Sequence, residues 1–167
     1  MYKRQVARFL QPFNVVLSGV ASTARSLAPF SEVAALGELP RLVAQADYVV
    51  NLLPNTPATR DIYDAALLAR FQPSAVLINA GRGTAVVDED LVAALASGQL
   101  AAAVIDVCRE EPLPAGHPFW AARNLTLTGH SAAPTLPHLL VELFLANLQC
   151  YRAGAELQGL VDFARGY

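Results

Sequence analysis

Cysteine and charged residues are scarce in this sequence, and their scarcity argues against several kinds of protein. The 167 residues include two cysteines, Cys108 and Cys150, whose separation matches no metal-binding or redox spacing. Such cysteine usage is typical of a reduced, cytoplasmic setting. Charged residues make up 16% of the chain and the formal net charge is −2. No basic stripe is present, so the charge pattern does not favour nucleic-acid binding.

Long hydrophobic runs are lacking as well. The apolar stretch around residues 139–148 is short and contains Glu142, so no membrane-spanning helix is predicted. A secreted protein is an alternative, because Ala-Ser-Thr-Ala at residues 21–24 resembles a signal-peptide cleavage site. However, Arg8 and Pro12 interrupt the apolar segment that should precede such a site. Secretion would predict cleavage near Ala24.

Apolar residues, by contrast, are abundant at 54% of the chain, which is more than an average soluble domain has. Continuous apolar runs alternate with segments of helical pattern, and this alternation predicts an α/β fold with a Rossmann-type doubly wound, mostly parallel sheet. Strands are predicted over residues 15–20, 48–53, 75–79, 101–107 and 125–128. Helices are predicted to end at residue 10 and to cover residues 39–46, 65–71, 89–97 and 139–152, with residues 21–37 as a connection.

Several residues are predicted to have local structural roles. Asp64 and Asp88 can cap the helices that follow them, and Gly98 can end the helix before it in a left-handed conformation. His117 and His138 stand beside prolines or loop residues and are predicted to be structural.

Four polar residues end or follow predicted strands, where ligand sites of parallel sheets gather. Arg82, between two glycines, can grip a carboxylate with two parallel hydrogen bonds, or it is a surface arginine in a glycine turn. His130 can donate a proton near neutral pH, or it is a structural histidine. Glu111 can pair with a histidine and orient its ring, or it is an exposed loop acid. Asp106 ends a buried strand and needs a donor from the protein or a ligand.

Four motifs, in chain order, resemble those of the D-isomer-specific 2-hydroxyacid dehydrogenases. They are VNLLPNTPATR at residues 50–60, LINAGRG at 77–83 with VDEDL at 87–91, IDV at 105–107 with EEPLP at 110–114, and GHSAA at 129–133. HPFW at residues 117–120 and the ending at residues 159–167 look like the glyoxylate/hydroxypyruvate reductase A branch of that family. The resemblance covers about residues 5–167.

The resemblance implies an oxidoreductase that reduces small 2-oxo acids, such as glyoxylate or hydroxypyruvate, with hydride from NAD(P)H. Arg82 would bind the substrate carboxylate, His130 would protonate the carbonyl oxygen, and Glu111 would hold His130 protonated. Asp106 would hydrogen-bond the nicotinamide carboxamide. The implied cofactor-binding set also contains Arg82 and His130 themselves, together with Leu53, Pro54, Thr59, Ala80, Gly81, Ser131 and Ala132. A homodimer is expected for the intact enzyme.

A preference for NADPH over NADH is predicted from the loop after the strand at residues 15–20. In this fold an acidic residue at that place bonds the ribose hydroxyls and repels a 2′-phosphate, and residues 21–25 contain no acid. Ser22 can donate a hydrogen bond and Arg25 can pair with a phosphate. The alternative is a loop that touches nothing.

The sequence departs from the family pattern in three respects. Gly129 replaces the usual proline before the histidine, which predicts a looser loop, and Cys108 replaces an aromatic residue. The glycine-rich phosphate loop is absent. We therefore expect a truncated chain, with a partial NAD(P)-binding domain over residues 1–136 and a helix and tail over residues 137–167 that pack on a missing substrate domain. Such a chain is expected to be inactive alone, and a non-catalytic nucleotide-binding module or an inactive remnant is the alternative.

Overall fold

Six strands form two parallel sheets in the structure, a computed structural model that describes residues 2–133 and 136–163. Two short strands pair with each other, and the other four lie side by side in chain order, with every pairing parallel. The first sheet contains β1 (Ser18–Ala21) and β2 (Glu32–Ala35), and the second contains β3 (Tyr48–Asn51), β4 (Val76–Asn79), β5 (Ala102–Ile105) and β6 (Leu125–Leu127). The predicted α/β fold with a parallel sheet is confirmed.

The described residues contain five α-helices, of which the first precedes the strands and the others connect or follow them. They are α1 (Tyr2–Leu10), α2 (Leu39–Val43), α3 (Ala65–Leu68), α4 (Asp88–Ser97) and α5 (Pro137–Ala153). The Asp64 carboxylate accepts a hydrogen bond from the Leu67 N–H at 2.8 Å, so the predicted cap of α3 is confirmed. Gly98 ends α4 with a φ of +76°, also as predicted. No helix among the described residues is long and apolar enough to cross a membrane.

Two local predictions were wrong. Residues 21–37 were expected to form a connection, but they contain β2. The sequence of β2, Glu-Val-Ala-Ala, begins with a charged residue and ends with two alanines, so it lacks the run of large apolar residues that marked the other sheet. Asp88 does not cap α4 and is instead its first helical residue. Its carboxylate lies 3.3 Å from Nε2 of His117, and burial raises the pKa of this carboxyl. The Asp88 carboxylate therefore pairs with His117, which is distant in the chain, and not with the backbone N–H groups at the start of α4 as the local pattern predicted.

The hydrophobic core lies around the four-stranded sheet and the helices that pack on it. Its fully buried members include Leu68, Leu77, Leu91, Leu100 and Ile105. The helix α5 contributes no buried residue, and its apolar side chains are exposed: Leu139, Leu140, Val141, Leu143, Phe144, Leu145 and Tyr151. The sheet is therefore part of the packed core, whereas α5 presents an apolar surface that nothing in the described chain covers.

Candidate active site

Two buried asparagines shape the carboxyl edge of the four-stranded sheet. Asn51 ends β3 and Asn79 ends β4, side by side in register, and the Asn51 amide donates to Oδ1 of Asn79 at 2.8 Å. Asn51 also accepts from the Leu53 N–H, and Asn79 accepts from the Gly81 N–H and donates to the Arg82 carbonyl. Sequence reasoning placed Asn79 at a strand exit but gave neither asparagine a role, although a polar residue at the end of a buried apolar run was an available signal. They fix the turns from which the predicted ligand-binding residues project.

Arg82 follows β4 and is exposed at this edge. One guanidinium nitrogen, Nη1, donates to the Gly81 carbonyl at 2.7 Å. No carboxylate of the described residues pairs with Arg82. Since a guanidinium has five N–H donors, Arg82 keeps donors for an incoming anion.

His130 and Glu111 form a direct pair next to Arg82. Nδ1 of His130 lies 2.8 Å from Oε2 of Glu111, while Oε1 of Glu111 accepts from the Cys108 N–H at 2.8 Å. The hydrogen bond from His130, together with that from Cys108, lowers the pKa of the Glu111 carboxyl. An ionised Glu111 accepts only, so we assign the proton to Nδ1 of His130. Nε2 of His130 is then turned away from Glu111 and has no hydrogen-bond partner among the described residues.

Asp106 holds the loop that carries His130. Its backbone carbonyl accepts from the His130 N–H at 2.9 Å. Its carboxylate accepts from the Thr128 hydroxyl and the Ser131 N–H at Oδ1, and from the Ala132 N–H at Oδ2. Burial acts to raise the pKa of this carboxyl, but the three hydrogen bonds and nearby His130 lower it overall.

The donors that Asp106 needs thus come from the protein itself. His130 has a φ of +53°, a left-handed conformation that is uncommon for a residue other than glycine. Four hydrogen bonds from residues 128–132 to Asp106 anchor this loop. That Gly129 makes the loop looser than a proline would stays a prediction.

Arg82, Glu111 and His130 line one open cavity of about 240 Å³. The cavity is completed by residues from three strand exits: Asn55, Gly83, Thr84, Val107, Cys108 and Arg109. A larger opening of about 340 Å³ lies between α2 and α3 and contains none of the three side chains. The smaller cavity is the candidate active site because a cation, a carboxylate and an imidazole converge there.

The predicted cofactor-binding residues occupy different places. Leu53, Pro54, Ala80 and Gly81 lie partly or fully buried in the turns after β3 and β4. Thr59 is buried, and its hydroxyl donates to the Pro54 carbonyl at 2.5 Å, so it braces that turn. The N–H groups of Ser131 and Ala132 bond Asp106. Ser22 and Arg25 are exposed in the loop that follows β1, a strand of the two-stranded sheet, and they do not line the cavity.

Comparison with known proteins gives a consistent result. The family model described as D-isomer specific 2-hydroxyacid dehydrogenase, NAD binding domain, matches residues 3–132. A glyoxylate/hydroxypyruvate reductase A from Yersinia enterocolitica is 38% identical over 164 residues, which are 98% of this chain and 52% of that protein. The chain therefore spans about half the length of this curated relative.

Solved structures resemble this fold closely. A probable 2-hydroxyacid dehydrogenase from Rhizobium etli, in complex with NADP, HEPES and L(+)-tartaric acid, has a TM-score of 0.88 at 31% identity. An NADPH-dependent glyoxylate/hydroxypyruvate reductase from Sinorhizobium meliloti, in complex with NADP and sulfate, has a TM-score of 0.87 at 32% identity. In both cases the match covers 98% of this chain and 53% of the other.

Proposed function

This chain belongs to the D-isomer specific 2-hydroxyacid dehydrogenases, as their NAD-binding domain, and from that premise we propose that it serves the reduction of small 2-oxo acids by NAD(P)H. Glyoxylate and hydroxypyruvate are the proposed substrates, because the Yersinia and Sinorhizobium relatives are named for them. The observation that carries the proposal is the 2.8 Å contact between His130 and Glu111 in the cavity that Arg82 also lines.

The proposed mechanism assigns one task to each of the three side chains. Arg82 binds the substrate carboxylate through two parallel hydrogen bonds. Glu111 accepts from Nδ1 of His130 and stabilises the imidazolium, so that Nε2–H faces the substrate. When bound, the nicotinamide cofactor would supply the hydride that reduces the carbonyl carbon. Nε2 of His130 gives its proton to the carbonyl oxygen. Negative charge that develops on this oxygen is stabilised by both cations.

Residues beside the candidate active-site cavity would hold the nicotinamide end of the cofactor. A carboxylate has about four acceptor positions, and Asp106 uses three of them within the chain. One position at Oδ2 is left for the carboxamide N–H₂. The turns at Leu53–Pro54 and Ala80–Gly81 would form the adjoining wall, with Ser131 and Ala132 beside it. No G-x-G-x-x-G motif, which would bind the cofactor pyrophosphate, occurs in the 167 residues. The residues named above therefore account for the nicotinamide end of the cofactor only.

NADPH is the proposed cofactor. Ser22 and Arg25 would hold the 2′-phosphate, since no acidic residue occurs at residues 21–25 to repel it. The Arg25 guanidinium makes no ion pair within the described residues, and the Rhizobium and Sinorhizobium structures contain NADP. In a fluorescence titration, Arg25→Ala should weaken NADPH binding and leave NADH binding unchanged, whereas Arg123→Ala should affect neither. Equal losses for both cofactors would contradict the assignment.

The domain boundaries, the packing partner of α5, the oligomeric state and the cellular compartment are proposed together. We assign residues 1–136 to the nucleotide-binding domain and residues 137–167 to a helix and tail. The apolar side of α5, with Leu140 and Phe144 more than half exposed, would pack on the substrate domain of a longer protein, since the relatives are about twice as long. The longer protein would be a cytoplasmic homodimer. Both cysteines are unpaired in the structure, in keeping with a reducing compartment.

The catalytic assignment can be tested by transplanting this chain into the Yersinia relative in place of its matched region. The chimera should reduce glyoxylate with NADPH. His130→Asn should lower kcat by about 10²- to 10⁴-fold through loss of the proton donor, and Arg82→Gln should mainly raise KM for the oxo acid. His138→Asn and Arg123→Gln, which change exposed residues outside the cavity, are the matched controls.

The outcomes separate the proposed enzyme from a nucleotide-binding module. Activity that survives His130→Asn would refute the proposed proton donor. A folded chimera that binds NADPH but never turns over would favour a non-catalytic module. The 167-residue chain assayed alone should show no turnover, because it has no glycine-rich loop to place the pyrophosphate.

A further inference from the structure

The loop that carries Glu111 and the turn that carries Arg82 are packed backbone against backbone. A Cβ atom added at Gly83 would lie 2.0 Å from the carbonyl carbon of Cys108 and 2.3 Å from the Arg109 nitrogen. The same Cys108 gives its N–H to Glu111. The distance between the substrate-binding arginine and the acid–base pair therefore depends on where the Cys108–Arg109 backbone sits.

The Arg109 side chain also holds this backbone in place through hydrogen bonds. Its Nη2 donates to the Val86 carbonyl, just after the Arg82 turn, and to Oδ1 of Asp61 at 2.5 Å. Asp61 in turn donates its N–H to the Thr84 carbonyl at 2.8 Å. One guanidinium thus joins three segments that lie far apart in the chain.

The ion pair itself is too exposed to matter much for folding. The side chains of Arg109 and Asp61 are 31% and 46% exposed, and pairs of this kind contribute about 0–1 kcal/mol to stability. A guanidinium that donates to two segments at such a position is better explained by what it orients.

We propose that Arg109, with Asp61 as its partner, is a positioning residue that holds the Glu111 loop against the Arg82 turn and thereby keeps Glu111 on His130. The proposal rests on the proposed function for its significance, since it concerns the same acid–base pair. It assigns no contact with substrate to Arg109.

The test follows the titration of the Glu111 carboxyl by ¹³C NMR in the full chain, which needs no turnover. Three variants are compared with the parent: Arg109→Gln, Arg109→Lys and Asp61→Asn, with Arg123→Gln as a control that removes an exposed positive charge elsewhere. The groups whose charges act on Glu111 are His130 and Asp106, and both are unchanged in every variant. Circular dichroism and urea unfolding verify that each variant is folded.

In the parent, the pKa of Glu111 should lie below its ordinary value of 4.5. In Arg109→Gln and Asp61→Asn it should rise toward 4.5, because the freed loop lets Glu111 leave His130. Arg109→Lys keeps the charge but lacks the planar fork, so it should show a similar rise. Arg123→Gln should show none.

Three results would overturn the inference or its premise. An unchanged Glu111 titration in folded Arg109→Gln would refute the positioning role. A rise in Arg109→Gln that Arg109→Lys fully reverses would show that the charge acts directly, and would also refute it. An ordinary Glu111 pKa in the parent, unaffected by His130→Asn, would instead refute the acid–base pair on which the proposed function depends.

Discussion

The substitution Gly83→Ala tests the packing of the candidate site most directly. The added methyl group would meet the carbonyl carbon of Cys108 at 2.0 Å, its oxygen at 2.1 Å and the Arg109 nitrogen at 2.3 Å. All three are backbone atoms, so no side chain can rotate away. Gly83 is itself buried, which leaves the methyl group no direction toward solvent.

The expected cost follows from the displacement that the methyl group demands. Non-bonded carbon atoms settle at about 3.5–4.0 Å, so the two segments must separate by about 1.5 Å. Overpacking a well-packed site costs about 1–3 kcal/mol, and because the neighbours here are backbone we expect a value at the upper end of that range. The separation would also move Cys108, whose N–H holds Glu111.

Urea unfolding of a graded glycine series provides the assay. Gly37→Ala and Gly116→Ala are matched controls, since an added Cβ meets no atom within 4 Å at either position. Gly81→Ala, whose Cβ would meet the Leu53 carbonyl oxygen at 3.0 Å, should be intermediate. If Gly83→Ala loses no more stability than the two controls, the close approach of the Arg82 turn to the Glu111 loop is wrong.

Three further predictions concern stability. The pKa of the Asp106 carboxyl is lowered from its ordinary value of 3.8, so the carboxylate stabilises the fold above that pH, and this stabilisation is lost as the pH falls through the folded-state pKa. Asp106→Asn should therefore lower the free energy of unfolding at neutral pH and make it less dependent on pH in the acid range. An unchanged curve of unfolding free energy against pH would contradict this. Asp64→Ala should cost about 1 kcal/mol in urea unfolding through loss of the α3 cap, with Asp64→Asn as the milder control. Leu91→Ala empties a fully buried site and should cost about 2–5 kcal/mol, whereas a loss below 1 kcal/mol would place Leu91 outside the core.

Local pattern was enough to predict the parallel sheet and the residues at its carboxyl edge. Continuous apolar runs marked β3, β4, β5 and β6. Such runs are typical of strands in a covered parallel sheet, and the central strands β4 and β5 have no exposed residue, whereas Tyr48 and Val50 of the edge strand β3 are exposed. The short motifs after those strands contained Arg82, Glu111 and His130, since reactive side chains must follow the strands to reach the edge. Apolar runs and short motifs consist of residues that are adjacent in the chain, so they can be recognised without knowledge of the tertiary structure.

Tertiary structure decided the remaining features, because they depend on residues distant in the chain. Asp88 was expected to bond its own helix, but folding brings it to His117. The His130 loop is anchored by Asp106, which lies 22 positions before Thr128 in the chain. The Arg109–Asp61 clamp joins residues 48 positions apart. Sequence periodicity reports which side chains are buried, whereas only the packed backbone determines which polar groups then meet, and in this domain those meetings set the geometry of the site.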